Sequence, residues 1–170
     1  MVEQTSSTLI STNDLQALIS LGCGLRILDC SVNVGGGEDF VFNYFREHIP
    51  DAKFLDLKLA RELASPFPFM MPSLDYFVMI AKSLDIRKSY TVVLYDGQQG
   101  AFACRGAFML KAFGHPDVRI LDGGLAKWKK EGREVRSHTA ATAEDFSYEL
   151  RSEGIKSYED IVAIEKNGSA

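Results

Sequence analysis

Long apolar runs, clustered cysteines and an excess of positive charge are all missing from this chain of 170 residues. No stretch approaches the ~20 consecutive apolar residues that a membrane-spanning helix needs, so no membrane partner is expected. The start, MVEQTSSTLIST, has neither the basic segment nor the apolar core of a secretory signal, and it lacks the arginines of a mitochondrial presequence. The three cysteines, Cys23, Cys30 and Cys104, are odd in number and show no Cys-x-x-Cys spacing. That pattern argues against a disulfide framework and against a zinc site, and it points to a reducing compartment. A cytoplasmic location is expected, with a mitochondrial one as the alternative if a leader has been removed. Lys and Arg total 19 against 23 Asp and Glu, a net charge of −4. Nucleic-acid binding needs a basic surface, so no such partner is expected either.

What is present reads as a globular α/β chain. Apolar residues make up 46% and charged residues 25%, the balance of a packed core with a wet surface. The length suits one well-buried domain and a remainder. Ser11-Thr12-Asn13-Asp14 supplies helix N-cap chemistry, with Leu15, Leu18 and Ile19 following at helical spacing. Gly22 and Gly24 end that helix. Leu25 to Asp29 is a short apolar run that reads as a buried strand, and a glycine-rich loop, Gly35 to Gly37, leads into an aromatic stretch. Ala52 to Leu55 reads as a second short strand. The prolines between Ser65 and Pro72 rule out a regular helix there. Ser73 then caps a helix through Ala81, with Phe77, Ile80, Ala81 and Leu84 on one face.

Tyr90 to Tyr95 is the best strand, β-branched and continuous, as in a parallel sheet covered on both faces. The loop Asp96-Gly97-Gln98-Gln99-Gly100 follows, then a helix from about Ala103 to Phe113 closed by Gly114. Val118 to Leu121 is another strand, and Asp122-Gly123-Gly124 turns into a short helix carrying Trp128. Strands alternating with helices predict a mainly parallel sheet flanked by helices, a three-layer α/β fold. Residues 1–136 form that domain and the polar stretch 137–154 reads as a linker. Ser157, Asp160, Ile161 and Ile164 then repeat Ser11, Asp14, Leu15 and Leu18 at a constant offset, since 157 − 11, 160 − 14 and 164 − 18 all give 146. Residues 155–170 are therefore read as the start of a second, similar domain.

The order of parts over residues 9–136 resembles the rhodanese family, in particular the amino-terminal domain of tandem thiosulfate or 3-mercaptopyruvate sulfurtransferases. The matching pieces are Leu28-Asp29-Cys30-Ser31, His48-Ile49-Pro50-Asp51-Ala52, Val92 to Asp96, Phe113-Gly114-His115 and Leu121 to Trp128. The resemblance implies transfer of sulfane sulfur from thiosulfate or 3-mercaptopyruvate to a thiol or cyanide through a cysteine persulfide. It implies no cofactor and no metal. The partners it implies are a small anionic donor, its acceptor and a second rhodanese domain.

In that family the reactive cysteine directly follows the central strand, where loop amides and a helix N-terminus favour the thiolate and hold the anionic donor. Asp96 stands at that position here. A carboxylate accepts no sulfur, so this domain alone is expected to transfer none. Cys104, beside Arg105 near a helix start, is the substitute thiol to weigh, but it lies eight positions after Asp96 (104 − 96) and reads more simply as a partly buried helix residue. Cys23 and Cys30 read as structural. No cysteine opens a C-x5-R phosphate loop, because Gly36 and Leu110 stand six positions after Cys30 and Cys104. The resemblance also implies His48 as a proton shuttle, with Asp39 as its orienting carboxylate. Beside those roles stand plainer ones: a strand-edge histidine tied to backbone for His48, and a helix N-cap for Asp39. His115 reads as a helix cap, and Trp128 and the Phe67–Met71 cluster as packing. A different class of function stays open beside catalysis: a non-catalytic rhodanese module for protein binding or regulation.

Overall fold

The computed structural model describes residues 8–32, 40–67 and 69–137. Its elements run β1 (Leu9–Ile10), α1 (Thr12–Leu21), β2 (Leu25–Asp29), α2 (Phe40–Arg46) and β3 (Lys53–Phe54). They continue with α3 (Leu74–Ser83), β4 (Thr91–Tyr95), α4 (Ala101–Ala112), β5 (Val118–Leu121) and α5 (Gly124–Lys130). The five strands form one sheet in the order β1-β5-β4-β2-β3, every pair parallel.

Alternation along the strands builds a core on each face. Leu28, Val92, Leu94 and Ile120 point to one side, where Phe77 of α3 and Ala103, Ala107 and Leu110 of α4 cover them. Ile27, Val93, Tyr95 and Leu121 point to the other, against Leu15 of α1, Tyr44 of α2 and Trp128 of α5. Complete burial of such aliphatic side chains contributes about 1.5–3 kcal/mol each. Both faces of β4 are thus largely dry, which is why its sequence reads as a continuous apolar run, while β2 and β5 each carry one partly buried arginine, Arg26 and Arg119. The three-layer α/β arrangement expected above is the one observed.

The expected caps form. Ser11 Oγ accepts the Asp14 N–H at 3.1 Å, and Ser73 Oγ accepts that of Tyr76 at 3.4 Å. Two readings need correction in extent: α4 starts earlier, at Ala101, and the aromatic stretch folds as α2. One strand was not foreseen, β1, a two-residue piece that among the described residues pairs with β5 alone. His115 caps α4 through its backbone, its N–H donating to the Leu110 carbonyl at 3.0 Å just past left-handed Gly114, while its ring Nε2 lies 3.1 Å from the Arg87 carbonyl. Trp128 is core, with Nε1 donating to the Glu134 carbonyl at 2.7 Å. The Phe67–Met71 cluster divides: Phe69 and Met71 pack against the core, whereas Phe67 and Met70 are exposed. Asp39, the Gly35–Gly37 loop and everything from residue 138 on, including most of the linker and the repeated helix start, lie outside the described residues.

Candidate functional site

The carboxyl ends of β2 and β4 lie side by side, with Asp29 in register with Tyr95. Open parallel sheets present their chemistry at this edge. The residue after β4 is Asp96, only 2% exposed. Its Oδ1 accepts the backbone N–H of Gln98 at 2.8 Å and of Gly100 at 2.9 Å. Its Oδ2 accepts those of Phe102 at 2.9 Å and Ala103 at 3.0 Å. The last two belong to the first turn of α4, whose unpaired donors and dipole favour an anion. The loop thus folds as an oxyanion cradle, and the anion in it is the protein's own carboxylate.

Glycines allow the close wrapping. Gly100 takes φ +86° at the helix entry. Gly124 (φ +55°) lies so near that an added Cβ would sit 2.6 Å from the Asp96 carbonyl oxygen. That carbonyl accepts the Leu125 N–H at 3.3 Å, which ties α5 to the cradle loop.

A second buried carboxylate stands beside the first. Asp29 Oδ1 accepts the Ser31 N–H at 2.9 Å, and its carboxyl is also hydrogen-bonded to the Ser31 and Tyr95 hydroxyls. Ser31 Oγ accepts the Gly97 N–H at 2.9 Å, linking the end of β2 to the cradle. Burial pushes Asp29 above the usual carboxylate range, and the neighbouring Asp96 charge adds to this against the hydrogen bonds that favour ionisation. Between this cluster and α2 opens a cleft of about 230 Å³, bordered by Asp29, Ser31 and Gly97 on one side and Asn43, Arg46 and Glu47 on the other.

The sequence-derived candidates separate on this frame. Asp96 is at the centre of the site. His48 is buried, and its backbone N–H and C=O pair with Arg136 at 2.8 Å each. Its Nδ1 lies 2.9 Å from the Tyr44 carbonyl, so Nδ1 carries the proton, and its ring stacks on Tyr44 with centroids 4.6 Å apart. The cleft wall beside it is made by Tyr44 and Glu47 rather than by His48. Cys104 is exposed, not partly buried. It lies one helical step before outward-facing Phe108, while Ala103 and Ala107 take the inner face. Its neighbour Arg105 donates to the Phe69 carbonyl at 2.5 Å and to Met71 Sδ at 3.2 Å. Cys30 is wholly buried, and burial together with Asp29 and Asp96 pushes its thiol well up, which keeps it protonated and inert. Cys23 is exposed. Among the described residues no three His, Cys, Asp or Glu side chains gather as a metal site would require.

Sequence reasoning missed Asp29, Ser31, Tyr95 and Gly124. The available signal was the recurrence of an aspartate at the end of two apolar runs, Leu28-Asp29 and Tyr95-Asp96. Adjacent parallel strands bring such ends together.

Comparison with known proteins adds sequence and fold relatives. A family model described as a rhodanese-like domain matches residues 11–131. Thiosulfate sulfurtransferase from Gallus gallus is 36% identical over 152 residues, covering 88% of this chain and 52% of the relative. 3-Mercaptopyruvate sulfurtransferase from Homo sapiens is 34% identical over 144 residues, 82% of this chain and 48% of that one. Among solved structures, SseA from Escherichia coli, described as a 3-mercaptopyruvate sulfotransferase, superposes with a TM-score of 0.71 at 26% identity, over 78% of this chain and 52% of that one. The chain spans about half the length of the curated relatives it matches. On a family match that covers most of the sequence, and with sheet and helices arranged as in a solved relative, this chain belongs to the rhodanese family.

Proposed function

We propose that this chain is the non-nucleophilic half of a tandem sulfurtransferase, its activity residing in a second rhodanese domain joined through residues 137–154 and opening at about residue 155. In the whole protein a cysteine thiolate of that second domain attacks the outer sulfur of thiosulfate, forming an S–S bond and releasing sulfite. With 3-mercaptopyruvate the same thiolate attacks the donor sulfur, an S–S bond forms as the carbon–sulfur bond breaks, and the thiol proton ends on carbon as pyruvate leaves. Cyanide or a thiolate then takes the terminal sulfur and the cysteine thiolate departs.

The observation that carries this reading is the Asp96 carboxylate filling the four-amide cradle where the family resemblance puts the nucleophile. It offers no sulfur to be loaded, and its charge repels an anionic donor. The cleft bordered by Asp29, Ser31 and Arg46 is the surface this half contributes to the shared site, with His48 supporting its α2 wall through Tyr44. The test is a thiosulfate:cyanide and a 3-mercaptopyruvate assay on this chain alone and on the chain extended by its second domain. The chain alone should be inactive and the extended protein active; turnover by the chain alone overturns the assignment. The same carboxylate also favours a second reading, a non-catalytic binding module, which an inactive extended protein would select. A persulfide on exposed Cys104 is the third outcome to check, by mass spectrometry after thiosulfate treatment.

A further inference from the structure

Far from the cradle, at the end of the sheet where β4 and β5 begin, a groove of about 290 Å³ runs between α3 and the turn after α4. Its apolar wall is formed by Phe77, Val78, Ala81, Ile86 and Phe113, with Phe77 and Phe113 stacked at 4.1 Å between centroids. The groove is small for a ligand pocket, and it suits one narrow apolar tail. The polar residues that line it are Lys82, Lys88 and His115.

The charges around it are unevenly spent. Asp85 pairs with Arg26 at 2.6 Å and with Arg87 at 2.7 Å. Asp117, next to His115, accepts Arg119 Nε and Nη2 at 2.9 Å each and the Thr91 hydroxyl at 2.8 Å. Asp85 and Asp117 are therefore occupied by arginines, while Asp75, exposed in the first turn of α3, forms no ion pair among the described residues. The side chains of Lys82 and Lys88, both exposed, form no ion pair or hydrogen bond among the described residues. His115 is anchored through Nε2 on the Arg87 carbonyl, so that nitrogen carries the proton, and Nδ1 has no protein partner.

From this pairing of an apolar trough with two uncommitted ammonium groups, we propose that the α3–α4 groove binds a small amphipathic monocarboxylate, its tail along Phe77 and Phe113 and its head between Lys82 and Lys88. Burying the tail supplies the affinity and the lysines select the sign of the head group. The site is separate from the Asp96 cradle and does not depend on the sulfurtransferase reading.

The probe is octanoate, titrated into the chain below its micelle concentration and followed by NMR chemical shifts and calorimetry. Saturable binding is expected, with shifts concentrated at Phe77, Val78, Phe113 and His115. Octylammonium, with the same tail and the opposite charge, should bind at least about tenfold more weakly. The double variant K82E/K88E, altered only at exposed positions, should lose octanoate by a similar factor while keeping the wild-type unfolding midpoint within error. Absence of saturation, equal affinity for octylammonium, or undiminished octanoate binding by K82E/K88E would each overturn the proposal.

Discussion

At the residue scale, Asp96 behaves as a ligand that the chain supplies to itself. Removing it takes the acceptor from four amide donors, two of them at a helix N-terminus, and of the four the Gly100 N–H keeps a second partner, the Gln98 carbonyl. Asp96→Ala should cost about 2–4 kcal/mol, read as a lower urea midpoint. Sulfate should restore part of that loss in the variant and leave the wild type nearly unchanged, because only the variant has the cradle vacant. Equal responses to sulfate would mean that the loop collapses instead of keeping its shape. Asp29 gives a pH signature. Burial raises its folded-state pKa above the usual carboxylate value, so across the interval between the two values the folded state holds the proton more tightly. The stability this contributes is complete below the unfolded pKa and is lost as pH rises through the folded one. Asp29→Asn should flatten that decline in urea midpoints collected from pH 4 to pH 7.

At the element scale, glycines in the same backbone region differ by what surrounds them. Gly132 has φ +70° with nothing near a would-be Cβ, so Gly132→Ala should cost only the left-handed strain, about 1–2 kcal/mol. Gly124 combines φ +55° with the Asp96 carbonyl at 2.6 Å from that Cβ. Gly124→Ala adds a backbone clash and should cost about 3 kcal/mol or more, with amide shifts spreading into residues 96–100. Equal unfolding midpoints for the two variants would show that α5 yields freely. How far the elements could be read from sequence follows from local signals. Strand β4 was legible because Thr91 to Tyr95 is β-branched and dry on both sides, and α1 and α3 because Ser11 and Ser73 announce them. Helix α2 was not, since its Phe and Tyr residues favour helix weakly and sit equally well in strands. Strand β1 is two residues long and exists through its pairing with β5, a long-range fact without local trace. In the site, Asp96 was found because a motif names its position. The Asp29–Ser31–Tyr95 network is harder to read: the aspartates that end two apolar runs hint at it, but Leu-Asp-Cys-Ser alone does not tell a buried carboxylate from a turn.

At the scale of the whole molecule, the surface carries more large apolar groups along one stretch than solubility requires. Leu59, Leu63, Phe67 and Met70 are between 48% and 66% exposed within a single irregular segment. Contiguous exposure of this kind marks a contact surface. The isolated chain should therefore self-associate in sedimentation experiments as its concentration rises, and Phe67→Lys with Met70→Lys should reduce that association without lowering the unfolding midpoint. Association that is indifferent to both substitutions would place the contact elsewhere.

The pairing of β1 with β5 also orders events in time. On the ribosome Leu9 and Ile10 are made before the other elements of this domain, yet the strand that accepts them, Val118–Leu121, follows only after most of those elements have been synthesised. Until then the sheet edge at β4 has no covering neighbour, and the N-terminal segment must stay out of other pairings. Docking of β1 must thus wait for β5, and a nascent chain halted before β5 would present an unfinished edge to chaperones.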